Sequence, residues 1–425
     1  MSVIRLATAL FLFFSLCYTQ GRMNGFGIGH YSSYQGIGNA VDGMTELTPA
    51  FQKEVSLSNP STWHNLKFAY LSMSYSGNEN LLNESSVMNG YSSLSNAIWV
   101  VPIKSNSSIG LSLSPYSDQR VSLVDQDTSY FQAFDSTYGF VRAFDRSGGI
   151  LSFRISTSYK LSEKVSLGYN HSILFGSSRQ NEAIFFGGSS IIQSSRARYS
   201  GILNDLYVSL SLFEGLKLFS KFTFSLKPLE TAILRKYLFD DTNGNGYHDF
   251  SPPYYDFPFP DSVNTLPEKR VSKIHDPKGF KLGINKSVSD RSSLAIEIGA
   301  LNDDAQNESS ILVMPFSNWI KSTNSFKASL STFPEDYSLK TLDKFSFKAG
   351  MSYLKHMLYY DNKEIVELGF SVGLGFKFKP VGNQVDLSYY FGNREYSGFE
   401  EKEFIQQIQI GISLADIWFV KRRQK

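Results

Sequence analysis

The residues best equipped for chemistry lie in one run, Asp240-Asp241-Thr242-Asn243-Gly244-Asn245-Gly246-Tyr247-His248-Asp249. Counted from Asp241, oxygen donors fall at positions 1, 3, 5 and 9 with glycine at 6, the spacing with which a calcium loop begins to wrap its ion. Asp241, Asn243, Asn245 and Asp249 would offer side-chain oxygens, and Tyr247 its backbone carbonyl. Position 12 is Pro252, so the bidentate glutamate is missing and Asp256 or Asp261 would have to replace it. What remains is a shorter D-x-N-x-N-G-x-x-D pattern, suited to weak binding where calcium is about millimolar. The competing reading is an Asn-Gly-rich solvated turn. Calcium is an optional ligand here, and the sequence calls for no other cofactor.

Other candidates for chemistry are weaker. His171 precedes Ser172 on an expected strand, and some outer-membrane barrels hydrolyse lipids with Ser and His on the barrel wall. That activity needs a serine and an Asn or Asp within hydrogen-bond reach of His171. Nothing in the local sequence orients His171, so the chain is not expected to be an enzyme. His30, His64, His248, His275 and His356 show no metal spacing. The glycines from Gly25 to Gly29 are not preceded by a strand, so packing against a wall suits them better than phosphate binding.

The elements that must carry these residues are strands. The 425-residue chain is 15% aromatic and only 19% charged, with a net charge of +2 that gives no case for nucleic acid. Its mean hydropathy of −0.19 does not fit a bundle of membrane helices. Arg5 followed by the apolar run Leu6 to Leu16 reads as a signal peptide over residues 1–19, with Cys17 and Thr19 before the cut. Cys17 is the one cysteine, so the mature chain has no thiol to mispair. Between Val366 and Phe378 every second residue is apolar: Val366, Leu368, Phe370, Val372, Leu374, Phe376 and Phe378. At a strand's rise these residues span about 43 Å, which suits a tilted membrane crossing. The glycines between them, Gly369, Gly373 and Gly375, would leave room on the inner face.

The same period returns at Leu151–Tyr159, Val165–Tyr169, Leu206–Leu212, Leu216–Leu226, Leu294–Ile298, Val385–Phe391 and Ile408–Leu414. Short turns alternate with long polar connections, 126–149 and 227–270, as expected when turns face the periplasm and loops face outside. The fold expected is all-β: a transmembrane antiparallel β-barrel of about 14 strands over residues 66–425, with 227–270 as a long extracellular loop. A soluble sandwich or a propeller is the alternative, but no 40–50-residue repeat supports the latter. The last expected strand ends in Trp418-Phe419, as an interfacial girdle would.

Residues 20–65 lack the two-residue period and carry an ordered set of motifs. Asn24-Gly25-Phe26 comes first, then Ser32-Ser33, then Gly36-Ile37-Gly38-Asn39-Ala40, Gly43 and Ser58-Asn59-Pro60. This order resembles the start of the FadL/TodX family of outer-membrane transporters for long-chain fatty acids and hydrocarbons. Ser61 stands where that family has Ala, and Glu46 with Thr48-Pro49 replaces its acidic pair.

The resemblance implies a 14-stranded barrel plugged by an N-terminal hatch, 20–65. It implies passive passage of a small hydrophobic molecule from outside, through an apolar pocket and sideways into the membrane. Phe26, Gly36, Gly38, Asn59 and Pro60 would shape the hatch and the pathway. The partners expected are that molecule, outer-membrane lipid and, during biogenesis, the barrel assembly machinery; the location is the bacterial outer membrane. The alternatives are a scaffold barrel for secretion or surface attachment, with 227–270 as its contact, or a general porin. Trp63 beside His64 reads as an interfacial anchor.

Overall fold

The computed structural model describes residues 23, 28–31, 38–82, 88–104, 106–124, 129–133, 136–186, 189–240, 243, 249–257, 268–305, 318–335, 338, 340–360, 363–378, 383–397 and 402–416. The barrel has 14 antiparallel staves. They are β1 (Ala69–Leu82), β2 (Met88–Lys104), β3 (Ser107–Asp118, carried on by Val121–Val124 and Ser129–Ala133), β4 (Ser136–Lys160), β5 (Val165–Phe186), β6 (Ser189–Phe213) and β7 (Leu216–Asp240). After them come β8 (Lys269–His275, then Pro277–Ser289), β9 (Ser292–Asp303), β10 (Asn318–Thr332), β11 (Phe345–Leu358), β12 (Glu364–Lys377), β13 (Gln384–Tyr396) and β14 (Lys402–Asp416). The sheet closes because β14 pairs with β1, from Ala69 opposite Asp416 to Leu82 opposite Glu403.

The two-residue period decides which face each side chain meets. On β12, Leu368, Phe370, Val372 and Leu374 point outward and are 39–53% exposed, while Glu367 and Ser371 are buried. Leu71, Met73 and Tyr75 on β1 repeat this, with Ser72, Ser74 and Ser76 inside. A continuous belt of exposed apolar side chains with a polar interior is stable only if hydrocarbon, not water, touches the belt.

The two ends differ. Tight turns mark the lower end, such as Glu214-Gly215, where Gly215 takes a positive φ of 78°. At the upper end β4, β6 and β7 are 25 residues long and β5 is 22, against 12 for β9 and 13 for β13. The tall staves absorb sequence that reads as loop: Phe140–Gly149 pairs with β5, and much of Lys227–Asp240 pairs with β6. Above the lipid neither face of a stave must be apolar, so alternation fades while the hydrogen-bond ladder continues.

Residues 38–66 lie inside the cylinder against inward-facing side chains. Luminal glycines mark the contacts. A Cβ on Gly110 would stand 2.6 Å from the Trp63 ring, and one on Gly168 would stand 2.5 Å from the Ser61 amide nitrogen. Ile28–Gly29 adds a short parallel strand to β10, Ile28 opposite Asn318 and Gly29 opposite Trp319. The N-terminal segment therefore passes the upper end of the lumen at residues 28–31 and reaches the lower end at 60–66.

Candidate functional site

Asn59 and Pro60 open a short 3-10 helix, Pro60–Asn65. Asn59 Oδ1 accepts from the Ser61 amide at 3.0 Å and from the Ser61 hydroxyl at 2.7 Å; Asn59 Nδ2 donates to the Leu47 carbonyl at 2.7 Å. Pro60 sits at the helix start, where no N–H is needed. The turn read from the sequence is thus a cap, and Ser61 contributes to it.

Trp63 is not an interfacial anchor: it is 1% exposed within the lumen and donates its indole N–H to the Ser56 carbonyl at 3.1 Å. It packs with Val41, Phe51, Val55, Leu57 and Leu66, so its apolar ring gains more from this core than from headgroups. Asp42 ties the segment to itself, accepting from the Leu57 and Ser58 amides at 2.9 and 2.8 Å. Burial pushes its carboxyl above the ordinary aspartate range.

The wall grips this segment through directed polar bonds. Glu297 on β9, 4% exposed, accepts from three successive amides, Glu46 at 3.0 Å, Leu47 at 2.7 Å and Thr48 at 2.9 Å, and from the Thr48 hydroxyl at 3.2 Å. Lys348 on β11 donates to the Val41 carbonyl and lies 3.3 Å from Asp386. Ser388 donates to the Ala40 carbonyl at 3.1 Å, and Ser74 to Asn39 Oδ1 at 2.8 Å. Glu46 pairs with Lys281 at 2.7 Å and lies 3.7 Å from Lys327. Lys281 above all, with Lys327, holds the Glu46 carboxyl well below the usual glutamate range.

At the upper end the Ser117 hydroxyl and the Gln119 side-chain amide donate to the His30 carbonyl at 3.2 and 3.0 Å, and apolar contact does the rest. Tyr31 stacks on Trp319, ring centres 4.5 Å apart and planes 14° from parallel. Ile150, Leu174, Leu203, Leu229 and Ile274 are buried in the same cluster. Met23 and Ile28 join Ile320, Leu358, Ile365 and Tyr396 beside it.

Between the two closures lies a chamber of about 890 Å³. Its lining mixes Lys221, Lys281 and Arg154 with Tyr116, Ile150 and Leu301. It also reaches Leu151 and Phe175, which are 38% and 42% exposed on the outer belt. The wall is irregular there. Gly148 has φ +100°, and a Cβ on Gly149 would meet the Ser117 carbonyl at 2.7 Å. The β3–β4 register shifts between Pro115 and Ser117. Pro115 has no N–H to give the ladder, so a bond is missing at this point of the wall.

Of the residues expected to matter, Gly38 borders the chamber and nothing stands within 4 Å of where its Cβ would be. Phe26 and Gly36 lie outside the described residues, as do Asp241, Asn245 and Tyr247 of the calcium-like loop. Asn243 Nδ2 donates to Asp249 Oδ2 at 2.7 Å, and the Asp249 amide donates to Asp256 Oδ2 at 2.7 Å. Glu297 and Lys348 had no signal in the sequence. Each is a charged residue inside a strand, and each binds backbone groups of the distant N-terminal segment.

His171 faces lipid, opposite Ile155 and Asn204. Asn204 Oδ1 meets His171 Nδ1 at 2.9 Å and accepts from the Tyr169 hydroxyl at 2.8 Å. Ser172 is buried on the other face. The pair therefore has an orienting amide, but its sequence neighbour points away and supplies no nucleophile.

A closed 14-stave cylinder, greasy outside and polar within, its interior crossed by its own N-terminal segment, has the fold of the FadL-type outer-membrane β-barrels. Its backbone is similar to that of a Pseudomonas aeruginosa FadL homologue, with 11% identity, TM-score 0.53, and 91% of this chain and 99% of that chain covered. The toluene transporter TodX of P. putida is similar at 12% identity, TM-score 0.53, with 92% and 99% covered; TbuX of Ralstonia pickettii at 9% identity, TM-score 0.52, with 90% and 98% covered. At these identities the likeness is one of fold. No curated protein matches the sequence. The family model BamG matches residues 3–425, and the chain belongs to the BamG family.

Proposed function

We propose that the protein passes small hydrophobic molecules through the outer membrane, with residues 39–66 as the hatch and the β3–β4–β5 panel as the way out. The observation that carries this reading is the chamber whose lining runs from luminal residues to Leu151 and Phe175 of the outer belt. A molecule that partitions into hydrocarbon at ~0.8 kcal/mol per CH₂ gains by leaving sideways. An open porin fits less well, because the N-terminal segment fills the lower lumen. Toluene transporters share the fold, which supports the substrate class without fixing the substrate.

The test uses the thiol-free mature chain. Pro115 and Leu151 are opposite each other on the outer face. Pro115→Cys with Leu151→Cys, oxidised, should cut uptake of radiolabelled toluene or a long-chain fatty acid at least fivefold, and reductant should restore it. The pair Tyr389→Cys with Ile408→Cys, also opposite, should leave uptake alone. Full uptake with the panel locked would remove this route.

A second reading, a surface scaffold, is favoured by one feature that transport does not need: the tall staves β4–β7. Binding of an exported protein to cells, abolished by trimming 178–198 and 230–240 to the height of the other staves while uptake persists, would favour it.

A further inference from the structure

We propose that the luminal chamber seats a single-chain lipid whose head carries one phosphate charge and free hydroxyls. Arg154 would hold the phosphate, and a neutral strip on β1 and β2 the hydroxyls. This rests on the transport reading, since it takes the chamber as a passenger's seat, and it names the passenger's class.

The chamber is not the greasy slot that a bare hydrocarbon needs. Five basic side chains line it, and four of them have a carboxylate. Arg120 pairs with Asp118, and Lys221 lies 3.4 Å from Asp205. Lys281 and Lys327 share Glu46, at 2.7 and 3.7 Å. The fifth, Arg154 on β4, has none among the described residues. Its Nη2 donates to the Ser114 hydroxyl at 3.0 Å and its Nε to the Ser152 hydroxyl at 3.3 Å. Neutral hydroxyls aim the guanidinium without cancelling its charge. Counting Glu297, which holds the Glu46 amide, the five basic groups meet four carboxylates, so one positive charge is left over. A single phosphodiester matches it, and the guanidinium fork fits two phosphate oxygens as a lysine ammonium does not.

The neutral strip lies one strand beyond Ser114. On β2, Asn96 is opposite Ser74 and Ser93 is opposite Ser76. Ser95 enters as an extra residue where the β1–β2 register shifts between Ser74 and Tyr75. Ser76, Asn78, Ser93, Ser95 and Asn96 all line the chamber. Asn78 Oδ1, Asn96 Oδ1 and Ser95 Oγ have no hydrogen-bond partner among the described residues. Enclosed polar groups normally find one, and a primary amide can both donate and accept, so the hydroxyls of a glycerol head would complete this strip. An alkane or an arene offers it nothing. The acyl chain would leave past Phe175 and Leu151, the latter three residues from Arg154 on the same stave.

The experiment uses the full mature protein in a nonionic amphipol, so that no detergent competes for the chamber. Equilibrium binding is measured with radiolabelled ligands of one chain length. Lysophosphatidylglycerol should bind about tenfold more tightly than the fatty acid, which has charge without hydroxyls, and than monoacylglycerol, which has hydroxyls without charge. Arg154→Gln should bring it down to the level of monoacylglycerol, and Arg154→Lys should restore only part of the loss. Asn78→Leu with Asn96→Leu should bring it down to the level of the fatty acid and leave fatty acid binding unchanged. Heat-modifiable gel mobility reports whether each variant is folded, and the ranking of ligands on the wild type decides even where one is not. Fatty acid bound as tightly as the lysolipid, or full lysolipid affinity in folded Arg154→Gln, would overturn the proposal. Free glycerol phosphate bound as tightly as the lysolipid would overturn the lipid assignment. Binding is read without transport, so the expected ranking together with full uptake through a locked panel would remove the exit route alone.

Discussion

At the lower end of the lumen Glu297, Lys348, Ser74 and Ser388 hold residues 39–48 by directed hydrogen bonds; at the upper end the backbone of residues 28–30 is bonded to the wall, but Trp319, Ile150 and Leu203 hold the Tyr31 side chain by contact. Directed bonds specify one position, and each acceptor removed leaves buried donors unpaired. Apolar packing has no direction, so another apolar body can replace one partner at small cost. The difference suggests that the lower closure is the lock and the upper one the place where a greasy ligand can exchange with Tyr31.

The largest effect should come from Glu297→Ala. Three amides and a hydroxyl lose their acceptor at ~1–3 kcal/mol per buried group, so residues 46–48 should be loosened by about 4 kcal/mol or more. Hydrogen exchange there should rise steeply while the barrel stays heat-stable; unchanged protection of Leu47 and Thr48 would show that the cradle does not lock the segment. Trp319→Ala should cost about 3 kcal/mol of upper packing. Exchange should rise at residues 28–31 and not at 46–48, and a rise at both would merge the two closures into one. Asn59→Ala removes a cap and a bond to Leu47, about 1–2 kcal/mol, seen as greater Trp63 quenching by iodide.

The Glu46–Lys281 pair gives a smaller, pH-dependent effect. Lys281 lowers the folded-state value of Glu46, so the pair contributes at all pH above the ordinary 4.5 and is lost only as pH falls well below it. Lys281→Met should move the acid onset of the change in hydrogen-exchange protection at Glu46 up toward 4.5. An onset that does not move would mean that the segment is held without this pair. The smallest effect concerns the calcium reading of Asp241, Asn243, Asn245, Tyr247 and Asp249. Millimolar calcium should slow proteolysis between residues 240 and 257 by a few-fold, and Asp249→Asn should abolish that protection.

Much of the barrel was legible because lipid outside and polar groups inside impose opposite demands on successive residues, as in Val366–Phe378. The tall halves of β4 and β7 were not, since water touches them on both faces and no alternation is required. Asn59 and Pro60 announced a backbone feature through their own chemistry. Glu297 gave no sign, for its partners are amides nearly 250 residues away that have no side-chain signature. Trp63 misled, because the same ring suits a headgroup girdle and a luminal core. Its destination was set by the space left at Gly110, on a strand not yet formed when the local sequence is read.

The unequal heights of the staves have a geometric outcome. With 25 residues in β7 and 12 in β9, the rim climbs by roughly 40 Å of strand from one side to the other. A tube cut on such a bevel does not open straight up. Its mouth is tipped over the low sill formed by β9–β14, so a solute skimming along the bilayer from that quarter meets a doorstep, and one arriving from the opposite quarter meets a parapet.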